Sequence, residues 1–212
     1  MTQKLASIYP LIKEVVRLEG YGKELSWQES IDFESMDEGS FLKELAWVIL
    51  SSGMKEQTIR SVFEKLTPIF DYWVSATSIY EKKQECYIEA LRIFNHRGKI
   101  SAILHSVKII HDSGYYRIKQ GVQSSPFKAL RQFPYIGPVT VYHLAKNIGL
   151  QVAKPDRHLV RIAHSDGYDD VQVFCQHISS IYGDSVPVVD IVFWRFANIE
   201  PDYLSILRIM RG

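Results

Sequence analysis

The sequence contains few cysteines and no long apolar run, and each shortage excludes a class of protein. Cys86 and Cys175 are the only cysteines among 212 residues. Two are too few for a four-cysteine iron–sulfur cluster or a zinc ribbon, so we expect both to be reduced and buried. The longest apolar stretches, such as residues 46–50, are far too short to span a bilayer. The N-terminal residues lack the apolar core of a secretory signal, which predicts a cytoplasmic protein with no membrane partner.

The formal net charge is only +1, yet the charges are unevenly distributed along the chain. Residues 24–45 contain one base, Lys43, among these acids: Glu24, Glu29, Asp32, Glu34, Asp37, Glu38 and Glu44. Residues 91–121 and 127–163 contain one acid each among these bases: Arg92, Arg97, Lys99, Lys108, Arg117, Lys119, Lys128, Arg131, Lys146, Lys154, Arg157 and Arg161. Such a basic flank is typical of a surface that binds a phosphate backbone. The alternative is that these are solvated charges on unrelated helices.

Apolar residues recur at helical spacing almost throughout, and no long alternating strand pattern is present. This periodicity predicts an all-α protein. Residues 42–49 read as an almost wholly apolar helix with a central position. Later helices are predicted at 124–133, 138–149, 156–165, 170–182, 186–198 and 201–210. Residues 24–40 are acidic and aperiodic, which predicts a loop or a small β turn.

The most informative stretch is residues 130–163, LRQFPYIGPVTVYHLAKNIGLQVAKPDRHLVRIA. A short helix ends at Phe133, a tight turn runs through Tyr135 and Gly137, and a second helix begins near Pro138. Backbone N–H groups at the start of that helix have no intrahelical partner, so a helix–hairpin–helix can grip a phosphate group. An ordinary turn between two helices is the alternative.

These residues resemble the core of the helix-hairpin-helix (HhH-GPD) DNA glycosylases, the superfamily that includes endonuclease III, MutY and AlkA. The family pattern is a Leu/Phe-Pro-Gly-hydrophobic-Gly hairpin, then a helix, then a loop that delivers an essential aspartate. The matching residues are Phe133, Pro134, Ile136, Gly137, Thr140 and Asp156. Over the rest of the chain the resemblance extends only to the order of the helices.

The resemblance implies a two-lobed helical fold with the active site in the cleft between the lobes. Residues 41–154, ending in the hairpin motif, would form the middle lobe, and residues 1–40 with 155–212 would form the second. It also implies a monomer that acts on double-stranded DNA containing a damaged or modified base. Such a protein would be associated with the nucleoid and would need no cofactor and no metal.

The resemblance assigns the chemistry to Asp156, which would stabilise positive charge on the sugar and deprotonate a water. Since Asp156 also precedes a predicted helix, an N-cap is a second interpretation, and the two are compatible. Strand-cleaving members carry a lysine two residues after the last hairpin glycine, where this chain has Val139. A valine cannot form an imine, so the resemblance implies a monofunctional enzyme. Lys154 as a substitute nucleophile is less favoured than Lys154 as a phosphate contact.

The resemblance also places hairpin residues against DNA. Gly137, Val139 and Thr140 would contact a phosphate, with Lys154 and Arg157 as supporting charges. Tyr135 stands where the family has its first hairpin glycine, a departure that is unfavourable if its φ is positive. The turn would then be distorted, or the ring would lie against the sugar-phosphate chain.

A base must leave the stack before its glycosidic bond is attacked, which requires a wedge and a pocket. Met54, in the loop after the central helix, is the candidate wedge, next to Gly53 at the place of the family's glutamine. A methionine packed inside is the alternative. Candidate pocket residues are Trp47, Trp73, Tyr142, Asp190 and Trp194. Asp190 and Trp194 are spaced i, i+4 and suit a stacked, hydrogen-bonded base.

Other interpretations of the polar candidates remain. Asp190 is alternatively a partner of Arg195 or a cap for a neighbouring helix. His143 and His158 have no metal-ligand spacing and are interpreted as satisfied surface or interface histidines.

We interpret the sequence as an all-α, monofunctional DNA glycosylase of base-excision repair. The alternative is a non-catalytic helix-hairpin-helix module that binds DNA within a repair or defence complex, favoured by the departures at Tyr135 and Gly53. A purely structural helical protein is the least favoured interpretation, because it leaves the polarised charge unexplained. The identity of the excised base does not follow from the sequence.

Overall fold

The computed structural model describes residues 4–212, which contain helices and turns but no strand. They form two compact units. One is continuous and spans residues 33–148, and the other combines both chain ends, up to Asp32 and from Gly149. Residues 33–40 therefore group with the continuous unit and residues 149–154 with the chain ends, whereas the sequence analysis placed these segments in the opposite lobes.

The helices have the following bounds. In chain order they are α1 (Leu5–Val16), α2 (Gly22–Ser30), α3 (Glu38–Ser51), α4 (Glu56–Leu66), α5 (Ala76–Glu81), α6 (Lys83–Ile93), α7 (Arg97–Ser113), α8 (Tyr115–Ser124), α9 (Pro126–Leu130), α10 (Thr140–Asn147), α11 (Arg157–Ser165), α12 (Val171–Tyr182), α13 (Val186–Ile199) and α14 (Tyr203–Met210). A π-helical turn at Arg17–Tyr21 and a 3-10 turn at Asp71–Trp73 complete the set.

The helices predicted after residue 124 are all present, as α9 to α14. The prediction for residues 24–40 is wrong in its first part, since α2 continues to Ser30 and only the residues from Ile31 to Asp37 are non-helical. Leu25 and Gln28 are buried and α2 packs on α13. Tertiary packing thus stabilises a helix too polar to show an apolar period.

The central helix of the continuous unit is α3. Asp37 caps it by accepting a hydrogen bond from the Ser40 N–H at 2.7 Å, which lowers the pKa of this carboxyl. Its apolar residues are buried on nearly every side, and α4, α5, α7 and α10 pack around it. The Asn147 side chain of α10 donates to Glu44 of α3 at 2.9 Å, and burial raises the pKa of Glu44 to about 7. This bond joins the hairpin helix α10 to the core.

The central helix of the chain-end unit is α13. Nearly all its residues are buried, and α1, α2, α11 and α12 pack around it. Even Asp190 and Arg195 are only 2% and 9% exposed. Arg195 pairs with Glu24 of α2 through two hydrogen bonds of 2.6 and 2.8 Å. A buried charge must have polar partners, and the partner of Asp190 lies in the loop that carries Asp156.

Candidate functional site

The hairpin between α9 and α10 is a tight turn with one residue in the left-handed region. The Ile136 N–H donates to the Phe133 carbonyl at 3.1 Å, with Pro134 second in the turn and Tyr135 third. Tyr135 has a φ of 65°, the positive value that the third position of a type II turn demands. A tyrosine there costs about 1–2 kcal/mol relative to glycine. The turn is formed all the same, and it is not distorted.

Thr140 holds this turn closed. Its Oγ1 accepts a hydrogen bond from the Gly137 N–H and donates one to the Tyr135 carbonyl, both at 2.7 Å. The Gly137 N–H is therefore hydrogen-bonded within the protein, and a phosphate contact at Gly137 stays a prediction. The N–H groups of Val139 and Thr140 come at the start of α10, where the helix offers them no carbonyl partner.

Within residues 4–212, no atom packs closely enough on position 137 to require a glycine there. Its φ is not positive, and a Cβ built there would meet only the Thr140 Oγ1, at 4.0 Å. In contrast, a Cβ built on Gly98 would lie only 2.8 Å from the Tyr135 hydroxyl. Gly98 therefore has a packing reason inside the chain, whereas the packing around position 137 leaves room for a Cβ.

The hairpin exposes two hydrophobic side chains, Tyr135 at 40% and Val139 at 60%, and three bases of the continuous unit are exposed as well. Val139 is 60% exposed and has no side-chain role in capping α10. Arg97, Lys128 and Arg131 are exposed. Lys146 is buried at 8% exposure, so it does not contribute to the exposed basic surface that the charge distribution predicts.

The loop that carries Met54 is a second tight turn. The Met54 N–H donates to the Ser51 carbonyl at 3.0 Å; Ser52 has φ −54° and ψ 113°, and Gly53 has φ 69°. These angles define a type II turn, in which Gly53 supplies the positive φ without strain. Met54 is 38% exposed. The alternative of a methionine packed inside is therefore wrong.

Asp156 is the N-cap of α11. Its Oδ1 accepts hydrogen bonds from the N–H groups of His158 and Leu159, both at 2.9 Å, while Oδ2 takes no part in the cap. The side chain is half-buried, so it is neither sealed inside nor fully solvated. The N-cap interpretation is thus confirmed, and it fixes the direction of the carboxylate while one oxygen stays outside the cap.

Two side chains from distant helices hold the loop before Asp156. The Lys154 N–H donates to Oδ2 of Asp190 on α13 at 2.6 Å, and the Ala153 N–H donates to the Gln172 side chain on α12 at 2.8 Å. Asp190 is therefore a buried partner of this loop, a role that the sequence analysis did not assign. A bond across 36 residues leaves no signal in a local pattern.

His158 and Arg157 flank the carboxylate. The Arg157 Nε donates to His158 Nε2 at 3.1 Å, and the other ring nitrogen of His158, Nδ1, lies 3.2 Å from the Tyr203 hydroxyl. His158 is therefore a hydrogen-bonded histidine, as expected. No group of three or more His, Cys, Asp or Glu side chains within residues 4–212 is arranged to hold a metal ion.

The aromatic candidates for a base pocket have different surroundings. Trp73 is 1% exposed and stacks on Phe70 at 4.8 Å, so it is a core residue and the prediction for it is wrong. Trp47, Tyr142 and Trp194 are half-buried. Trp47 and Tyr142 belong to the continuous unit and Trp194 to the chain-end unit. A pocket role for these three and for Asp190 stays a prediction.

No family model and no curated protein sequence matches the chain. Among solved structures, the 8-oxoguanine DNA glycosylase of Thermotoga maritima matches with a TM-score of 0.58 and 15% sequence identity. The match covers 92% of this chain and 97% of that one. Within residues 4–212 no helix is long and apolar enough to cross a membrane. The chain therefore shares the all-helical fold of that structure, the fold class that the sequence predicts.

Proposed function

We propose that this chain is a monofunctional DNA glycosylase of base-excision repair. It binds double-stranded DNA, extrudes a damaged or modified base and hydrolyses the N-glycosidic bond to leave an abasic site. The fold shared with a DNA glycosylase supports the general activity. The observation that carries the proposal is the fixed position of the Asp156 carboxylate. It caps α11, and the side chains of Asp190 and Gln172 form hydrogen bonds to the loop before it.

In this proposal Asp156 performs the chemistry. As the C1′–N bond breaks, positive charge develops on the sugar, and the carboxylate stabilises it. The base leaves with the electrons of that bond. A water then forms the new C1′–O bond and gives its proton to Asp156. A carboxylate fixed by two backbone N–H groups needs little reorganisation during this step. Val139 offers no amine, so water is the nucleophile.

The hairpin supplies the grip on the backbone. The first-turn N–H groups of α10, at Val139 and Thr140, bind a phosphate oxygen, and the absence of a Cβ at Gly137 lets the phosphate approach. Lys154 and Arg157 add positive charge near Asp156. Met54, exposed on a stiff turn, fills the gap that the extruded base leaves.

Base release followed by alkali tests the enzyme. Duplexes that contain uracil, alkylated purines, modified cytosine or 8-oxoguanine, the base in the name of the structural neighbour, are incubated with the protein and then treated with hot alkali. We expect strand breaks only after alkali with at least one of them. A mass spectrum of bases released from genomic DNA then identifies the substrate.

Asp156→Asn is the decisive variant, because asparagine caps a helix as well as aspartate does. It should abolish base release while the free energy of unfolding stays nearly unchanged. Asp170→Asn is the matched control, since Asp170 caps α12 in the same way, with hydrogen bonds of 2.6 and 3.2 Å. If Asp156→Asn retains full activity, the catalytic assignment is wrong. DNA binding without base release on any substrate would favour the non-catalytic module instead.

A further inference from the structure

Lys99 is a buried lysine whose ammonium group is fully occupied by backbone carbonyls. It is the third residue of α7 and only 2% exposed. Its Nζ donates to the carbonyls of Ile49, Leu50 and Ser52 at 2.5, 2.9 and 2.7 Å. An ammonium group has three donors, so this set leaves none over. Lys99 is therefore not available as an amine nucleophile.

Two of these carbonyls belong to the end of α3. The carbonyls of the last helical turn have no intrahelical partner, and a cation there is favoured by the helix dipole. The third carbonyl, that of Ser52, lies within the type II turn that carries Met54. Lys99 therefore fixes both the end of α3 and the orientation of the turn that follows it.

The same ammonium group also contacts the hairpin. Lys99 Nζ is 5.1 Å from the centre of the Tyr135 ring, within the range of a cation–π contact. The neighbouring residue Gly98 lets the Tyr135 hydroxyl approach closely. The turn of Met54 and the hairpin of Tyr135 thus share one buried charge, and all of these residues lie in the continuous unit.

We propose that Lys99 is a positioning residue that couples the Met54 turn to the hairpin, so that base extrusion depends on a side chain that does not touch DNA. This inference rests on the proposed function. It predicts that the wedge and the phosphate grip move as one rigid element. Removing the three donors of Lys99 leaves the Ser52 carbonyl without this hydrogen bond, so the turn becomes more mobile. Met54 is then no longer fixed in the position from which it enters the base stack.

Hydrogen exchange on the full chain without DNA tests the coupling. Lys99→Met keeps the length of the side chain and removes its donors. We expect exchange at residues 51–55 to rise about tenfold, the loss that one charge-assisted hydrogen bond represents. Exchange in α12 should stay unchanged. Lys108→Met, on an exposed ion pair of the same helix with Asp112, is the control and should have no effect at residues 51–55.

Binding to a duplex with a tetrahydrofuran abasic-site analogue tests the role in extrusion. The preference for this duplex over intact DNA should fall about tenfold in Lys99→Met. Met54→Ala should lower this preference by a similar factor. The double variant should lose no more of the preference than the single variant with the larger loss. Lys99→Arg, which keeps charge and donors, should restore part of the preference.

Three results overturn the coupling: unchanged exchange at residues 51–55 in a folded Lys99→Met protein, fully additive effects of the two substitutions, or a wild-type protein with no abasic preference. If Lys99→Met fails to fold, Tyr135→Leu decides, because it removes the ring but not the lysine. It must raise exchange at residues 51–55, because the Tyr135 ring contacts the Lys99 ammonium group that binds the Ser52 carbonyl. The exchange measurements need neither DNA nor base release, so their failure refutes the coupling alone, whereas a wild-type protein with no abasic preference contradicts base extrusion in the proposed function as well.

Discussion

The variant Gly137→Ala should have opposite effects on the free energy of unfolding and on the affinity for duplex DNA. Because the φ of Gly137 is not positive and an added Cβ meets only the Thr140 Oγ1 at 4.0 Å, alanine fits the native backbone. Alanine restricts the unfolded chain, so the free energy of unfolding should rise by about 0.4–1 kcal/mol. In the proposed function, the added methyl group stands where the phosphate approaches. Loss of one or two charge-assisted hydrogen bonds, at about 1.5–3 kcal/mol each, weakens duplex affinity at least tenfold.

Urea unfolding and fluorescence anisotropy at fixed salt measure the two effects in one preparation. Gly121→Ala is the matched control, since Gly121 lies inside α8 and its added Cβ would meet the Ala129 Cβ at an ordinary 3.5 Å. It should stabilise the protein by up to about 1 kcal/mol and leave affinity unchanged. If Gly137→Ala lowers stability, the glycine is structural. If it leaves the affinity unchanged, the hairpin is not the phosphate grip.

Three further predictions follow from the same structure. Burial raises the pKa of Glu44 from 4.5 to about 7. The unfolded chain therefore binds fewer protons in this window, and the free energy of unfolding should fall by up to about 3 kcal/mol as the pH rises from 4.5 to 7. Glu44→Gln should flatten this dependence in urea titrations, and an unchanged slope would contradict it. The free energy of unfolding from urea titrations should be about 1 kcal/mol higher for Tyr135→Gly than for Tyr135→Ala, because only alanine keeps the strain of a positive φ. Equal stabilities would mean that the turn is unstrained. Val139→Lys places an amine at an exposed position, and we expect alkali-independent strand breaks and a borohydride-trapped complex; their absence would mean that this position does not face the sugar.

Asp156 illustrates how much of the candidate site was predictable from local sequence. An aspartate that follows a proline and precedes an amphipathic helix is a strong N-cap pattern, and the structure has that cap. The hairpin was equally local. A Phe-Pro-x-Ile turn with a residue of positive φ at its third position needs only neighbouring residues, and even the misfit of tyrosine there was visible in advance.

Met54, Lys146 and Trp73 show where the sequence was insufficient. Each stands in a pattern that allows a buried or an exposed position, and neither periodicity nor residue type distinguishes the two. Met54 is exposed because a type II turn carries it out of α3, whereas Trp73 is covered by Phe70, which begins its own turn, and by Phe63 on α4. Burial is decided by what packs on a residue, which lies elsewhere in the chain.

Local sequence was sufficient to predict most of the helices, the cap at Asp156 and the hairpin, because each depends on backbone geometry and on partners within a few residues. The helix α2 and the contacts that hold these parts in place depend on side chains far away in the chain. Asp190 reaches the Lys154 N–H from 36 residues away, and Lys99 reaches the end of α3 from 47 to 50 residues away. Both are charged groups removed from water, and such a group is stable only where the fold brings it several hydrogen-bonding partners, which no stretch of sequence alone can specify.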